Sequence, residues 1–240
     1  MEKGLVVITG ASSGIGMEVA KTFQERGYSL LLLARRLDRL RHLEGKGTLC
    51  KQADVTDFKG FKQAVHEAEK QLGPVRCLVN NAGVMLLGLI HEQNPAEWKQ
   101  MFDVNVLGVL NGMQIVLPGM IQHNQGTIIN ISSVAGRFTF PAHAAYCGTK
   151  YAVHAITENV RKEVAKYNIR LAIIAPGAVE TELLSHTTSS EIKANYEGWK
   201  SQMGGVLHPA DIARAVLYAF EQPPNVCVRE VMVAATRQEP

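Results

Sequence analysis

The sequence predicts an α/β fold, a doubly wound parallel sheet in a single domain. Three observations carry this. Short apolar runs alternate with amphipathic helical stretches from one end of the chain to the other, the pattern of strand–helix crossovers. Neither an interdomain linker nor an internal repeat interrupts the alternation. Each unusual polar or glycine-rich cluster follows the carboxyl end of an apolar run, where sheets of this kind bind ligands.

Leu5-Val6-Val7-Ile8 reads as a buried parallel strand, followed by the turn Thr9–Gly16 and a helix through Val19, Ala20 and Phe23 that stops at Gly27. Ser29–Ala34 is a second strand, and Leu37, Leu40 and Leu43 at helical spacing predict a helix broken by Gly45-Lys46-Gly47. Thr48–Ala53 is the third strand. Phe61–Leu72 is an amphipathic helix closed by Gly73-Pro74, and Val75–Val79 is the fourth strand, running into Asn80-Asn81-Ala82-Gly83. Trp98 to about Gln122 is a long helical region with Asn94 as N-cap and Pro95 at its first position, and Pro118 is expected to kink or end it. Thr127–Ile131 is the fifth strand, Tyr146–Tyr167 a helix, and Ile169–Ala175 the sixth strand, ending at Pro176-Gly177. Residues 181–207 lack clean periodicity and contain Gly198, Gly204 and Gly205, and are expected to be a mobile segment with one or two short helices. Asp211–Phe220 is a helix after Pro209, and Val226–Ala234 the last strand.

Bulk properties narrow the class. The 240 residues are 46% hydrophobic, enough for a full core, and the net charge of +3 comes without a basic block, so nucleic acid is not an expected partner. Cys50, Cys77, Cys147 and Cys227 are scattered without ligand spacing, which argues against a metal site or a disulfide scaffold and for a reducing compartment. No leader pattern and no run near the roughly 20 apolar residues of a membrane span is read. The expectation is a cytoplasmic protein without a membrane or metal partner.

Three motifs bear chemistry. Tyr146 and Lys150, four apart, project from one helix face. An ammonium beside a phenol lowers the phenol pKa toward working pH, so the pair could exchange a proton with a carbonyl or alcohol. Taken alone, an ordinary surface pair is the commoner reading. Gly10, Gly14 and Gly16 crowd the first strand-to-helix turn, where backbone can approach a pyrophosphate and the helix N-terminus favours an anion. Their spacing differs from the general dinucleotide fingerprint, and a plain tight turn is the alternative. After the second strand no acidic residue is present to hold a ribose 2′-hydroxyl. Arg35 and Arg36 stand there instead, suited to a 2′-phosphate, with Ser12 and Ser13 able to add hydroxyl donors. This favours NADP(H) over NAD.

Taken together, Thr9-Gly10-x3-Gly14-x-Gly16, Asn80-Asn81-Ala82-Gly83, Ser133, Tyr146-x3-Lys150 and Pro176-Gly177 resemble the short-chain dehydrogenase/reductase family in its compact single-domain form, over essentially the whole chain. The resemblance implies a three-layer Rossmann-like sheet of about seven strands and hydride transfer between nicotinamide and a carbonyl or alcohol. By position, Ser133, thirteen residues before Tyr146, resembles the serine that binds the substrate oxygen. Tyr146 resembles the general acid/base, and Lys150 the lysine that lowers its pKa and binds the nicotinamide ribose. Asn105 resembles the asparagine of a proton relay, although from sequence alone a locally bonded helix amide is preferred. In the cofactor loop, Ser12, Ser13, Gly14 and Ile15 follow Gly10. Asp54 and Val55 resemble adenine contacts, and Asn81, Ala82 and Gly83 line the cofactor, with Asn80 structural. Pro176, Gly177, Val179 and Thr181 resemble contacts to nicotinamide and phosphate.

Val84-Met85-Leu86-Leu87-Gly88 and His208-Pro209-Ala210-Asp211-Ile212 further resemble the bacterial NADP-dependent branch with clavulanaldehyde reductase and 3-hydroxy-acid dehydrogenases. The resemblance also implies a homo-oligomer, a tetramer or dimer. Cys147 reads as a buried thiol, and His143 and His154 as locally hydrogen-bonded. Arg137 reads as either a substrate-carboxylate ligand or a surface arginine. Trp199 and Met203 belong either to a lid over substrate or to simple packing. Two rival functions are an NAD-dependent sugar or polyol dehydrogenase, which an acidic residue in place of Ala34 would have favoured, and a non-catalytic NADP-binding regulator, which loss of Tyr146 or Lys150 would have favoured.

Overall fold

In the computed structural model, which describes residues 4–239, the apolar runs become seven strands of one parallel sheet. They are β1 (Leu5–Thr9), β2 (Ser29–Ala34), β3 (Thr48–Gln52), β4 (Val75–Asn80), β5 (Gly126–Ile131), β6 (Ile169–Pro176) and β7 (Glu230–Val233). Their order is β3-β2-β1-β4-β5-β6-β7. The chain winds outward from β1 to β3, then returns to β4 and winds the other way. The crevice between the carboxyl ends of β1 and β4 is therefore the switch point at which ligands bind.

Side chains alternate across the sheet with period two. Val6, Ile8, Leu30, Leu32 and Val79 face a core shared with α1 (Gly14–Glu25) and α7 (Pro209–Phe220). Leu5, Val7, Leu31, Leu33 and Leu78 face a second core, built with α2 (Phe58–Leu72), α4 (Gly108–Gln122) and α5 (Ala144–Val164). β1 is buried throughout, which is why it carries no polar residue before Thr9.

Several expected elements differ in detail. Leu37, Leu40 and Leu43 do not lie on an α-helix. They lie on or beside two single 3₁₀ turns, Leu37–Arg39 and Arg41–Leu43, because the chain must close back onto β3 through the Gly45–Thr48 bridge. The long helical region starts at Pro95 under an Asn94 cap as expected, and runs as α3 (Pro95–Phe102), a π-turn (Asp103–Leu107) and α4. Pro118 lies inside α4 without ending it. Glycine lets this helix press on the sheet: a side chain at Gly112 would collide with the Asn80 amide. The last strand is much shorter than predicted, Glu230–Val233. Residues 181–207 fold into a 3₁₀ turn (Glu182–His186) and α6 (Ser190–Gln202).

One expectation about membranes is corrected. Pro95–Gln122 is long and apolar enough by length and composition to cross a bilayer. Here it packs along β4 and α5, and its buried face carries Asn105.

Candidate active site

The switch point is held together by side chains. Thr9 Oγ1 donates to the Val79 carbonyl (3.4 Å) and accepts from the backbone N–H groups of Asn81 (3.0 Å) and Ala82 (3.1 Å). Asn81 Nδ2 donates back to the carbonyls of Thr9 and Gly10. Gly10 (φ 65°) and Gly14 (φ 52°) occupy left-handed conformations that favour glycine. A side chain at Gly16 would strike the Gly10 carbonyl and the Asn81 amide. Gly16 is thus required for close packing and does not line the cavity.

A cavity of about 800 Å³ opens above these strand ends. Its floor contains the glycine turn, and the first turn of α1 carries no acidic residue, leaving that helix end attractive to an anion. Arg35 and Arg36 line one end, with Asp54 and Val55 beside them. Asp54 Oδ1 accepts from the N–H and hydroxyl of Thr56, which fixes the turn after β3. Arg36 donates to Ser13 Oγ (3.2 Å) and to Glu182 (2.9 Å), and Arg39 donates to the other Glu182 oxygen (2.6 Å). The two guanidiniums hold the Glu182 carboxyl below the usual carboxylate range. Glu182 and Arg39 were not singled out from sequence, because 143 residues separate them and no local pattern joins them.

The other end holds Ser133, Tyr146 and Lys150; Pro176, Gly177 and Val179 also line the cavity, and Thr181 lies against Gly14 at the glycine turn. All three polar side chains are buried. The Ser133 hydroxyl accepts from the Ala135 N–H at 3.1 Å and favours the ionised form of the nearby Tyr146 phenol. Lys150 Nζ lies 5.6 Å from the centroid of the Tyr146 ring and donates to the Ile131 carbonyl at 3.1 Å. Burial pulls the Lys150 ammonium down to about 8. Burial also pushes the Tyr146 phenol well above its ordinary value, with Tyr196 adding to the rise. The lowering of Tyr146 expected from Lys150 is not among the causes of its shift: Ser133 alone lowers it, and desolvation disfavours the charged forms of both Tyr146 and Lys150. Such a phenol is held in its protonated form at neutral pH.

Asn105 sits behind the cavity wall and does not line it. Its side chain accepts from the Val84 N–H (2.8 Å) and donates to the Val84 carbonyl (2.9 Å) and to Thr149 Oγ1 (3.2 Å), which in turn donates to the Tyr146 carbonyl. It bonds across elements, unlike the local bonding preferred from sequence, and ties the loop after β4 to α5. Asn80 is structural as expected, donating to Asn130 Oδ1 at 2.9 Å inside the sheet.

The neighbouring residues resolve plainly. Cys147 is buried. Arg137 pairs with Glu230 outside the cavity. His143 Nδ1 contacts the Pro141 carbonyl at 2.7 Å. His154 departs from expectation: both ring nitrogens are buried without a hydrogen bond, and burial depresses its pKa to about 4. Trp199 lines the cavity, while Met203 is packed away. Gln238, which lies beyond the last expected strand and was not singled out from sequence, reaches the site and accepts from the Ala178 N–H at 2.8 Å. Among the described residues, no group of three or more His, Cys, Asp or Glu could hold a metal ion.

Glycines that leave backbone open at the floor, a helix N-terminus without acidic residues and arginines at one end fit a phosphorylated dinucleotide laid across the strand ends. The comparisons agree. The family model for short chain dehydrogenases matches residues 4–192, so the chain belongs to the short-chain dehydrogenase/reductase family, in its compact single-domain form. It is 42% identical to the oxidoreductase SSP1627 of Staphylococcus saprophyticus, over 98% of this chain and 96% of that protein. Its fold is similar to the closed form of serine dehydrogenase complexed with NADP+ (TM-score 0.91, 27% identity, 98% and 96% coverage). It is also similar to the alcohol dehydrogenase of Thermococcus sibiricus complexed with 5-hydroxy-NADP (TM-score 0.86, 26% identity, 99% and 98% coverage).

Proposed function

We propose that this chain is an NADP(H)-dependent oxidoreductase that reduces a carbonyl, or oxidises the corresponding alcohol, with Tyr146 as general acid/base. The observation that carries the reading is one cavity with arginines at one end and a buried Tyr146–Ser133–Lys150 group at the other. The NADP ligands of the similar serine and alcohol dehydrogenase structures support it.

Arg35 and Arg36 would hold the 2′-phosphate by charge-assisted bonds. Ser12, Ser13, Gly14 and Ile15 would present backbone and hydroxyl groups to the pyrophosphate, and Asp54 and Val55 would flank the adenine. Asn81, Ala82 and Gly83 would line the middle, Pro176, Gly177, Val179 and Thr181 the nicotinamide end, and Lys150 the ribose beside it. The nicotinamide, when bound, supplies or accepts the hydride at C4. The chain's own contribution is positioning and proton transfer. Ser133 and Tyr146 direct hydroxyl donors at one oxygen. Tyr146, kept protonated by burial, gives its proton to that oxygen as it becomes an alkoxide. Lys150 stabilises the phenolate left behind. Placement in the cytoplasm and assembly as a homotetramer or dimer go with this reading.

The test is a fluorescence titration of the purified protein with NADPH and NADH. Binding of NADPH at least tenfold tighter is expected, on the order of one charge-assisted contact. Equal affinities, or a preference for NADH, would refute the role of the arginines.

A further inference from the structure

The apolar side of the cavity specifies what meets Tyr146. Helix α6 carries Ile192, Tyr196 and Trp199 at positions i, i+4 and i+7, a single stripe. No residue of α6 is fully buried: Ile192 and Tyr196 pack only in part against the small core around Met85, Leu87 and Tyr146, and Trp199 is half-buried. All three side chains line the cavity instead. Aromatic contacts continue from there toward the proton donor. Trp199 and Tyr196 stand 5.2 Å apart, Tyr196 and His143 6.2 Å, and His143 and Tyr146 6.3 Å, with Phe140 5.6 Å from His143.

The cations near this wall are engaged: Lys150 Nζ donates to the Ile131 carbonyl beside the Tyr146 ring and is assigned above to the nicotinamide ribose. Lys200 is ion-paired with Glu180 (3.1 Å) and Glu197 (3.0 Å). His143 contacts the Pro141 carbonyl, and burial lowers its pKa, which keeps the ring neutral. Arg137 is bound to Glu230 outside the cavity. Arg35 and Arg36 lie at the opposite end, beside Ser13. Glu92 and Glu191 are on the rim. A carboxylate entering here would lose its hydration, meet beside this wall only cations already engaged, and face carboxylates, an expensive burial.

We infer that the substrate is a neutral, apolar carbonyl compound with an aromatic or branched aliphatic body packed on the Ile192–Tyr196–Trp199 stripe, and that carboxylate-bearing substrates are excluded. This rests on the reductase reading above and names its substrate class. It departs from the 3-hydroxy-acid side of the branch that short sequence motifs suggested.

The experiment compares 3-(4-tert-butylphenyl)propanal with 4-(3-oxopropyl)benzoate, which differ in charge far from the reacting carbon. Binding to the protein saturated with NADP+ is read by tryptophan fluorescence, and turnover with NADPH by absorbance. The neutral aldehyde should bind about fiftyfold or more tightly than the carboxylate, with a matching ratio in kcat/KM. Tyr196→Ala and Trp199→Ala should each weaken its binding about tenfold or more. Equal binding of the carboxylate, failure of both aldehydes to bind, or insensitivity to both alanine variants would overturn the inference. Selective binding of the neutral aldehyde without turnover would leave the substrate wall intact and strike only at the reductase reading.

Discussion

Replacing Lys150 with methionine should stabilise the cofactor-free protein while abolishing turnover. Lys150 is 7% exposed, and among the described residues its ammonium has one hydrogen bond, donated to the Ile131 carbonyl. Burial lowers its pKa from 10.5 to about 8. At about 1.4 kcal/mol per pKa unit, that interval corresponds to roughly 3 kcal/mol of lost stability. The sign follows from proton binding. Below pH 8 both folded and unfolded chains hold the proton, and the fold bears the whole cost. Between pH 8 and 10.5 the unfolded chain binds more protons, so stability rises with pH. Above 10.5 both are neutral and the cost is gone. Methionine removes the charge but forfeits one hydrogen bond, worth about 1 kcal/mol. The variant should therefore be about 2 kcal/mol more stable at pH 7, and about equal or slightly less stable at pH 10.5. Urea unfolding at both pH values, at one protein concentration, measures this. The raised phenol of Tyr146 and the Cys50 thiol, at about 11, pull stability the other way at high pH, but both proteins carry them and they cancel in the difference. A difference that does not change with pH would refute the assignment of this buried charge. The outcome matters because a functional group is being maintained at the expense of the fold.

Other outcomes follow from the same contacts. Arg36→Ala should weaken NADPH about tenfold to a hundredfold by calorimetric titration and leave NADH nearly unchanged, since only the 2′-phosphate loses a charge-assisted partner. Glu182→Gln should tighten NADPH severalfold, because the carboxylate now occupying Arg36 and Arg39 no longer competes; an unaltered affinity would show that it does not. Asn130→Leu strips Asn80 Nδ2 and Thr157 Oγ1 of their shared buried partner and should cost about 2 kcal/mol or more. A melting temperature within a degree of the parent would contradict that.

The sheet and most of the site were readable in advance because their signals are local. Strands such as Leu5–Ile8 announce themselves by composition. Gly10, Gly14 and Gly16 mark a turn that needs positive φ at the first two and close packing at the third. Tyr146 and Lys150 are joined by helical spacing alone. Features that depend on distant partners were not readable. Glu182 meets Arg36 and Arg39 only after the chain has crossed the sheet, and Gln238 reaches Ala178 from the far end of the sequence. The Leu37–Leu43 periodicity predicted a helix, but the short return to β3 allows only two 3₁₀ turns. The direction of the phenol pKa was not readable because an i+4 pair says nothing of burial, and burial is the largest influence on Tyr146 here.

The central claim is that Tyr146 moves the proton while the rest of the cavity holds the cofactor. It is tested most directly by Tyr146→Phe, with NADPH binding and NADPH-dependent aldehyde reduction measured on the same sample. The account predicts NADPH affinity within a few-fold of the parent and a turnover loss of about a hundredfold to ten-thousandfold. A variant that binds NADPH normally and keeps reducing aldehyde near the parent rate would contradict it.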